Sequence, residues 1–221
     1  MKAKKGDRWA LIAASGGGKT TAEQAIAVPL IRAWPKDPVY VIDSKHEKAF
    51  DSWWNLKGVS RWDKSEAPIP VKKGIQIWRP VEDIRDEYNK FLKAIFTRRK
   101  PCIIIIDELS SLGGESEASS YPRYLRIILK QGRTLGITIM IGSQEASYVP
   151  RQLLGQTNRV LTGHLNLPAD KSKMAEYYGF GNKPKDWHIP DAHGLWFIDP
   201  TVPLDQEAPV YYRDIQEFLG L

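Results

Sequence analysis

Residues 13 to 20 read Ala13-Ala14-Ser15-Gly16-Gly17-Gly18-Lys19-Thr20, and Thr21 follows. An apolar run from Trp9 to Ala13 leads into this stretch, and a helical pattern leaves it. The spacing matches GxxxxGK[ST] with Ala13 in place of the first glycine, in the strand-to-helix context that motif requires. Three consecutive glycines let the backbone curl so that successive amide N–H groups converge on phosphate oxygens at a helix N-terminus. Ser15, Gly16, Gly17, Gly18, Lys19, Thr20 and Thr21 are therefore the expected nucleotide-binding set. Lys19 reaches the outer phosphates, Thr20 gives a hydroxyl to a magnesium ion, and Thr21 extends the helix start. Alanine at position 13 keeps the tight turn possible.

A loop of this kind predicts an α/β fold with a mostly parallel sheet flanked by helices on both faces, and the rest of the chain agrees. Apolar runs recur at Val39 to Ile42, Ile75 to Trp78, Cys102 to Ile106, Ile137 to Ile141, Val160 to Leu161 and Leu195 to Ile198. Several lack alternation, as strands buried on both faces should. Val81, Ile84, Tyr88, Phe91, Leu92, Ile95 and Phe96 recur at helical spacing and predict an amphipathic helix. Lys57 to Gly74 and Ser110 to Ser120 read as loops. The 221 residues suit a single domain, with 200–221 a C-terminal hairpin or arm and a short helix.

Cys102-Ile-Ile-Ile-Ile-Asp107-Glu108 is an apolar strand ending in two acids. Burial of the strand places both at the carboxyl edge of the sheet, beside the loop. Asp107 is the expected magnesium ligand. Glu108 is expected to polarise the attacking water, because phosphoryl transfer depends mainly on positioning and charge stabilisation. Ile137 to Gly142 is a further buried strand ending in Ser143-Gln144, so Gln144 falls on the same edge within reach of a γ-phosphate or its water.

Arg123, Arg126, Lys130 and Arg133 are spaced three, four and three apart, along one helix face. Three readings stay open for them: a solvated face, a track for DNA, or an arginine that reaches a neighbouring subunit's phosphates. Arg133 is the first candidate for such a finger and Arg159 the second. A net charge of +6 and a pI near 9.3 suit a polyanionic partner and also mere solubility. The single Cys102 excludes an intrachain disulfide and a cysteine metal site. No apolar run approaches the roughly 20 residues that span a bilayer, so the chain reads as soluble and cytoplasmic.

Four segments in order resemble the FtsK and HerA superfamily of DNA-translocating ATPases. They are Ala14 to Thr20, Val41-Ile-Asp-Ser-Lys45, Ile105-Ile-Asp-Glu108, and Gly132-Arg-Thr-Leu-Gly-Ile137 through Ser143-Gln144. Val149-Pro-Arg-Gln-Leu-Leu-Gly-Gln156 and Asn158-Arg159 are similar to the segment that follows the strand-end glutamine in HerA-like proteins. Within that superfamily, a chain this short is similar to the small genome-packaging ATPases of tailless, membrane-containing double-stranded DNA viruses. The resemblance implies a P-loop fold of the RecA/ASCE kind, ATP and Mg2+ as cofactors, and catalytic roles for Glu108, Lys19, Gln144 and an arginine such as Arg133. It also implies a homo-oligomeric ring, hexamer or pentamer, around double-stranded DNA, with a capsid vertex protein as a further partner. The setting would be the host cytoplasm or the virion. Three other readings stand beside packaging: a cellular HerA-like translocase, a Zot-like assembly ATPase acting in virion export, and a nucleotide-dependent scaffold. For DNA, the expected grip is the stripe from Arg123 to Arg133. The loops at 57–74 and 110–120, or Lys171, Lys173, Lys183 and Lys185, are the alternative.

Overall fold

The computed structural model describes residues 3–46, 48–51, 53, 57–82, 84–113, 121–178, 194–198 and 209–211. These build one sheet in which seven strands run parallel: β1 (Arg8–Ile12), β2 (Val39–Ile42), β3 (Val59–Trp62), β4 (Ile75–Trp78), β5 (Cys102–Ile106), β6 (Ile137–Ser143) and β7 (Arg159–Thr162). Two more, β8 (Gly194–Ile198) and β9 (Pro209–Tyr211), add antiparallel beyond β7, giving the order β3-β4-β2-β5-β6-β1-β7-β8-β9. The β8–β9 pairing falls partly within the expected C-terminal arm; the short helix expected near Leu221 lies outside the described residues.

Because successive strand residues point to opposite faces, each central strand feeds two cores. On one face Ile12, Tyr40, Ile42, Ile104, Ile106, Ile139 and Ile141 pack with helix α3 (Arg85–Thr97) and helix α4 (Arg123–Gln131). On the other, Leu11, Val39, Val41, Ile103, Ile105 and Met140 pack with helix α1 (Lys19–Ala33) through Ala22, Ile26, Ala27 and Leu30. A short helix α2 (Lys48–Asp51) follows β2 and sets Phe50 in this second core, and helices α5 (Arg151–Leu154) and α6 (Pro168–Tyr178) contribute Leu153, Leu154 and Met174 to the first. Double-sided burial explains why β2 and β5 carry no polar residue. Among the described residues no helix is long and apolar enough to cross a membrane.

Three details differ from the sequence pattern. Lys57 to Gly74 contains the edge strand β3, hidden from the apolar-run criterion because its Ser60 and Arg61 are exposed and it pairs on one side only. Helix α3 begins at Arg85, leaving Val81 and Ile84 exposed. The helix starts where Asp86 and Glu87 can face the positive end of its dipole, and Glu87 accepts the Ala67 amide at 2.9 Å. Helix α4 ends at Gln131, so Arg133 sits in the following turn of 3-10 helix, and Arg126 is half-buried while Arg123 and Lys130 are exposed. The four cations therefore do not form one continuous solvent face.

Cys102 opens the central strand β5, and burial pushes its thiol up to about 12, with nearby Arg98 pulling the other way. A thiol so protonated is a poor nucleophile at neutral pH. Iodoacetamide at pH 8 is expected to leave Cys102 unmodified in the native protein and to label it fully in denaturant. Rapid native labelling would remove β5 from the middle of the sheet.

Candidate nucleotide site

The loop between β1 and α1 is pinned from two sides. Ala13 N–H donates to the Ser143 carbonyl at 3.1 Å and Ala14 N–H to the His164 carbonyl at 2.7 Å, so the strands flanking β1 fix where the loop begins. Gly16 and Gly18 take left-handed φ values of 76° and 77°, and Gly18 is the residue immediately before α1. That conformation is cheap only for glycine and turns the first amides of α1 toward the loop's concave side. Ala13 is not among the residues with positive φ, which explains why the motif's first glycine is dispensable here.

Lys19, the first residue of α1, is buried. Its Nζ donates to the Asp107 main-chain carbonyl at 2.5 Å and to Asp107 Oδ1 at 3.0 Å, and lies 3.8 Å from Glu23 Oε1. Burial by itself lowers the pKa of Lys19, but Glu23, Asp107 and Glu108 together more than reverse this, so the ammonium stays charged. Glu23, one turn on, has no exposure and neither carboxyl oxygen has a hydrogen-bond partner. Burial drives its pKa well above the carboxylate range, against the pull of Lys19 and with the help of Asp107. Room for this cluster exists because residue 142 is glycine. A Cβ there would lie 2.2 Å from the Asp107 carbonyl oxygen, 2.4 Å from Glu23 Oε1 and 3.0 Å from Lys19 Nζ.

Asp107 and Glu108 leave the carboxyl end of β5 side by side, both almost fully buried. Thr20 Oγ1 is 3.5 Å from Asp107 Oδ1, and Asp107 Oδ2 is buried without a hydrogen-bond partner. A hydroxyl beside a carboxylate with a spare oxygen is a donor set that fits a hard divalent cation such as magnesium. Glu108 is held at both oxygens: Lys45 Nζ at 2.9 Å from Oε2, and Ser110 Oγ at 3.0 Å from Oε1. Lys45 comes from the turn after β2. That turn is braced by the buried pair Arg79 Nε to Asp43 Oδ2 at 2.5 Å, and by contact of His46 Nε2 with the Pro80 carbonyl at 3.0 Å.

Of the residues expected from sequence, Lys19, Thr20, Asp107 and Glu108 meet at the carboxyl edge between β1 and β5. Ser15, Gly16 and Thr21 lie exposed around the loop, and Gln144 directly follows β6 on the same edge. Arg133 and Arg159 are elsewhere. Both precede or open strands at the amino edge, with Arg159 3.5 Å from Asp7 and stacked near Trp9. A five-residue strand separates the two edges by about 16 Å. Sequence reasoning assigned no role to Lys45, Glu23 or Gly142. Lys45 was discoverable as a polar residue just beyond a buried strand, whereas Glu23, a lone glutamate on a helix, reads as solvent-facing.

A glycine-turned loop at a parallel strand's carboxyl end, its lysine bound to an acid-terminated strand one place removed in the sheet, defines the P-loop ATPase fold. No protein-family model matches the chain, and no curated protein matches it in sequence. Solved structures do. The genome-packaging NTPase B204 of Sulfolobus turreted icosahedral virus 2, solved with ATP-gammaS, superposes with a TM-score of 0.65 at 12% identity, covering 92% of this chain and 95% of that one. VirB4 of Thermoanaerobacter pseudethanolicus gives 0.69 at 12% identity over 92% and 88%. The pCW3 conjugation coupling protein TcpA gives 0.65 at 17% identity over 97% and 63%. The likeness read from sequence motifs thus holds at the level of fold.

Gly142→Ala is expected to strike stability and nucleotide binding together, since backbone oxygen, Glu23 and Lys19 would all have to shift. The cost should sit at or above the upper end of the roughly 1–3 kcal/mol typical of overpacking. A thermal melt and nucleotide titration indistinguishable from the parent would show that the cluster is not packed as described.

Proposed function

We propose that this chain is a magnesium-dependent ATPase that translocates double-stranded DNA, packaging a viral genome into a preformed capsid. The observation that carries the catalytic part is the meeting of Lys19, Thr20, Asp107 and Glu108 at one edge. Lys19 neutralises charge on the outer phosphates, and Thr20 and Asp107 would hold the magnesium ion, which supplies Lewis-acid stabilisation of the phosphates when bound. Glu108 orients and deprotonates the attacking water, with Lys45 and Ser110 setting the carboxylate's direction. Gln144, on the same edge, senses the γ-phosphate.

The translocation part is supported by similarity to B204, by the motif order shared with FtsK and HerA proteins, and by the net charge of +6. In this reading copies assemble as a ring, hexamer or pentamer, and bind a capsid vertex protein. Arg133, too far from its own chain's loop, serves the neighbour's nucleotide. Similarity to TcpA supports a second reading, a DNA translocase in conjugation rather than packaging.

ATP turnover with and without duplex DNA tests both parts. Turnover should rise with duplex DNA, Lys19→Ala should abolish it, and Glu108→Gln should still bind ATP while hydrolysing it about 10²-fold more slowly or worse. A normal rate in Glu108→Gln would place the activating base elsewhere. No response to duplex DNA in an otherwise active enzyme would remove translocation.

A further inference from the structure

The two edges of the parallel sheet differ in how their charges are balanced. At the carboxyl edge, around the nucleotide site, the acids are paired with cations: Asp43 with Arg79, Asp107 with Lys19 and Glu108 with Lys45. At the amino edge the segments that lead into the strands are cationic almost without interruption: exposed Lys57 before β3, Lys72 and Lys73 before β4, Lys36 before β2, and Arg99 with Lys100 before β5. Lys4 and Lys5 before β1 continue the line. Among the described residues of these segments the only acids are Asp7, which is buried and bonded to the Lys4 amide and Asn158, and Asp37, which pairs with Lys5 at 2.6 Å. Among the described residues of these segments the remaining cations have no acid to pair with.

The strand pairing makes this a line rather than a scatter. Ile75 N–H donates to the Gly58 carbonyl, Val39 N–H to the Gly74 carbonyl and Ile103 N–H to the Pro38 carbonyl, so the leading segments of β3, β4, β2 and β5 abut in order. Gly58 and Gly74 both take left-handed turns, and a Cβ at Gly74 would lie 2.4 Å from the Gly58 oxygen, which brings Lys57 beside Lys72 and Lys73. Arg99 is a second sign. It follows α3 in the left-handed conformation, φ 50°, at the position where helices usually end on glycine, yet the chain keeps a guanidinium there. Helix C-termini favour cations at such an edge, which accounts for Arg99 and Lys100 but not for Lys72 or Lys73, since strand β3 and not a helix precedes them.

We infer that the amino edge of the sheet is the surface that binds polyanion, and that its occupant is the phosphate backbone of duplex DNA. From β3 to β1 the line crosses five inter-strand spacings, about 24 Å, which is about two-thirds of a helical turn of a duplex. Such a length suits an extended polyanion and far exceeds what a small anion would use. Lysines without a planar hydrogen-bonding frame grip charge and read no bases. The grip is then remote from the nucleotide, and neither the helix α4 stripe nor the phosphate loop takes part. This inference rests on the DNA-translocase reading and adds the surface to it.

The test is fluorescence anisotropy of a 30-base-pair duplex titrated with the full chain from about 50 to 200 mM salt. The variant carries Lys36, Lys57, Lys72 and Lys73 all changed to Gln, and its companion carries the same four changed to Arg. The Gln variant should lose about 10²-fold in affinity, and its salt slope should shrink by about three to four, near one unit per lost contact. The Arg variant should bind as the parent does, and DNA-free ATP turnover should be unchanged in both. Arg123→Gln with Arg126→Gln should leave the slope alone. If the parent binds duplex and the Gln variant binds it equally with the same slope, the inference fails and the translocase reading stands. If the parent binds no duplex at any salt, both fail. Parental binding of an acidic polypeptide but not of duplex would make this edge a protein-docking face and overturn the assignment.

Discussion

A buried ammonium held by a buried carboxylate ties the two halves of this molecule together. Lys19 belongs to the first turn of α1 and Asp107 to the end of β5, and each is removed from water almost completely. Neither charge would be tolerable alone at that depth, because desolvation of an isolated ion costs several kcal/mol. Their contact therefore fixes α1 against β5, and with it the loop that α1 begins. The Asp107 carbonyl accepting from the same ammonium makes the restraint directional. Glycine at 142 in β6 is its steric condition, since any side chain there would enter the pair.

Around that pair the sheet sorts chemistry by direction. Parallel strands deliver their carboxyl ends to one side, so the polar residue that terminates each buried run falls on a common edge: Asp43 and Lys45 after β2, Asp107 and Glu108 after β5, Gln144 after β6. The amino ends of β3, β4, β2, β5 and β1 are led in by exposed cations. In the proposed reading, phosphate chemistry falls on one edge and contact with a long polyanion on the other. The sheet between them is rigid through double-sided packing of Ile103 to Ile106 and Val39 to Ile42.

The loop and the acid pair were legible in sequence because each couples a local conformational demand to an adjacent apolar run. Gly16 to Gly18 must turn after a strand, and Asp107 must surface where Ile103 to Ile106 end. Edge strand β3 was not legible, because half its residues face water and its apolar content falls to a loop's. Glu23 was hidden for the opposite reason: on a helix a lone glutamate reads as solvent-facing, and only the packing of α1 against β6 buries it. The cationic edge was invisible for a third reason. Its lysines are scattered from Lys4 to Lys100 and become a line only when strand order is known.

The most direct measurement is a double-mutant cycle on the central pair, reading unfolding free energy for Lys19→Met, Asp107→Asn and the combination. Each single change strands one buried charge and should cost about 3–5 kcal/mol. The double variant removes both charges with little change in shape, so its cost should fall below the sum of the singles by about 2 kcal/mol or more. Costs that add to within about 0.5 kcal/mol would mean the two side chains do not restrain each other. Loop and acid strand would then be held together by packing alone.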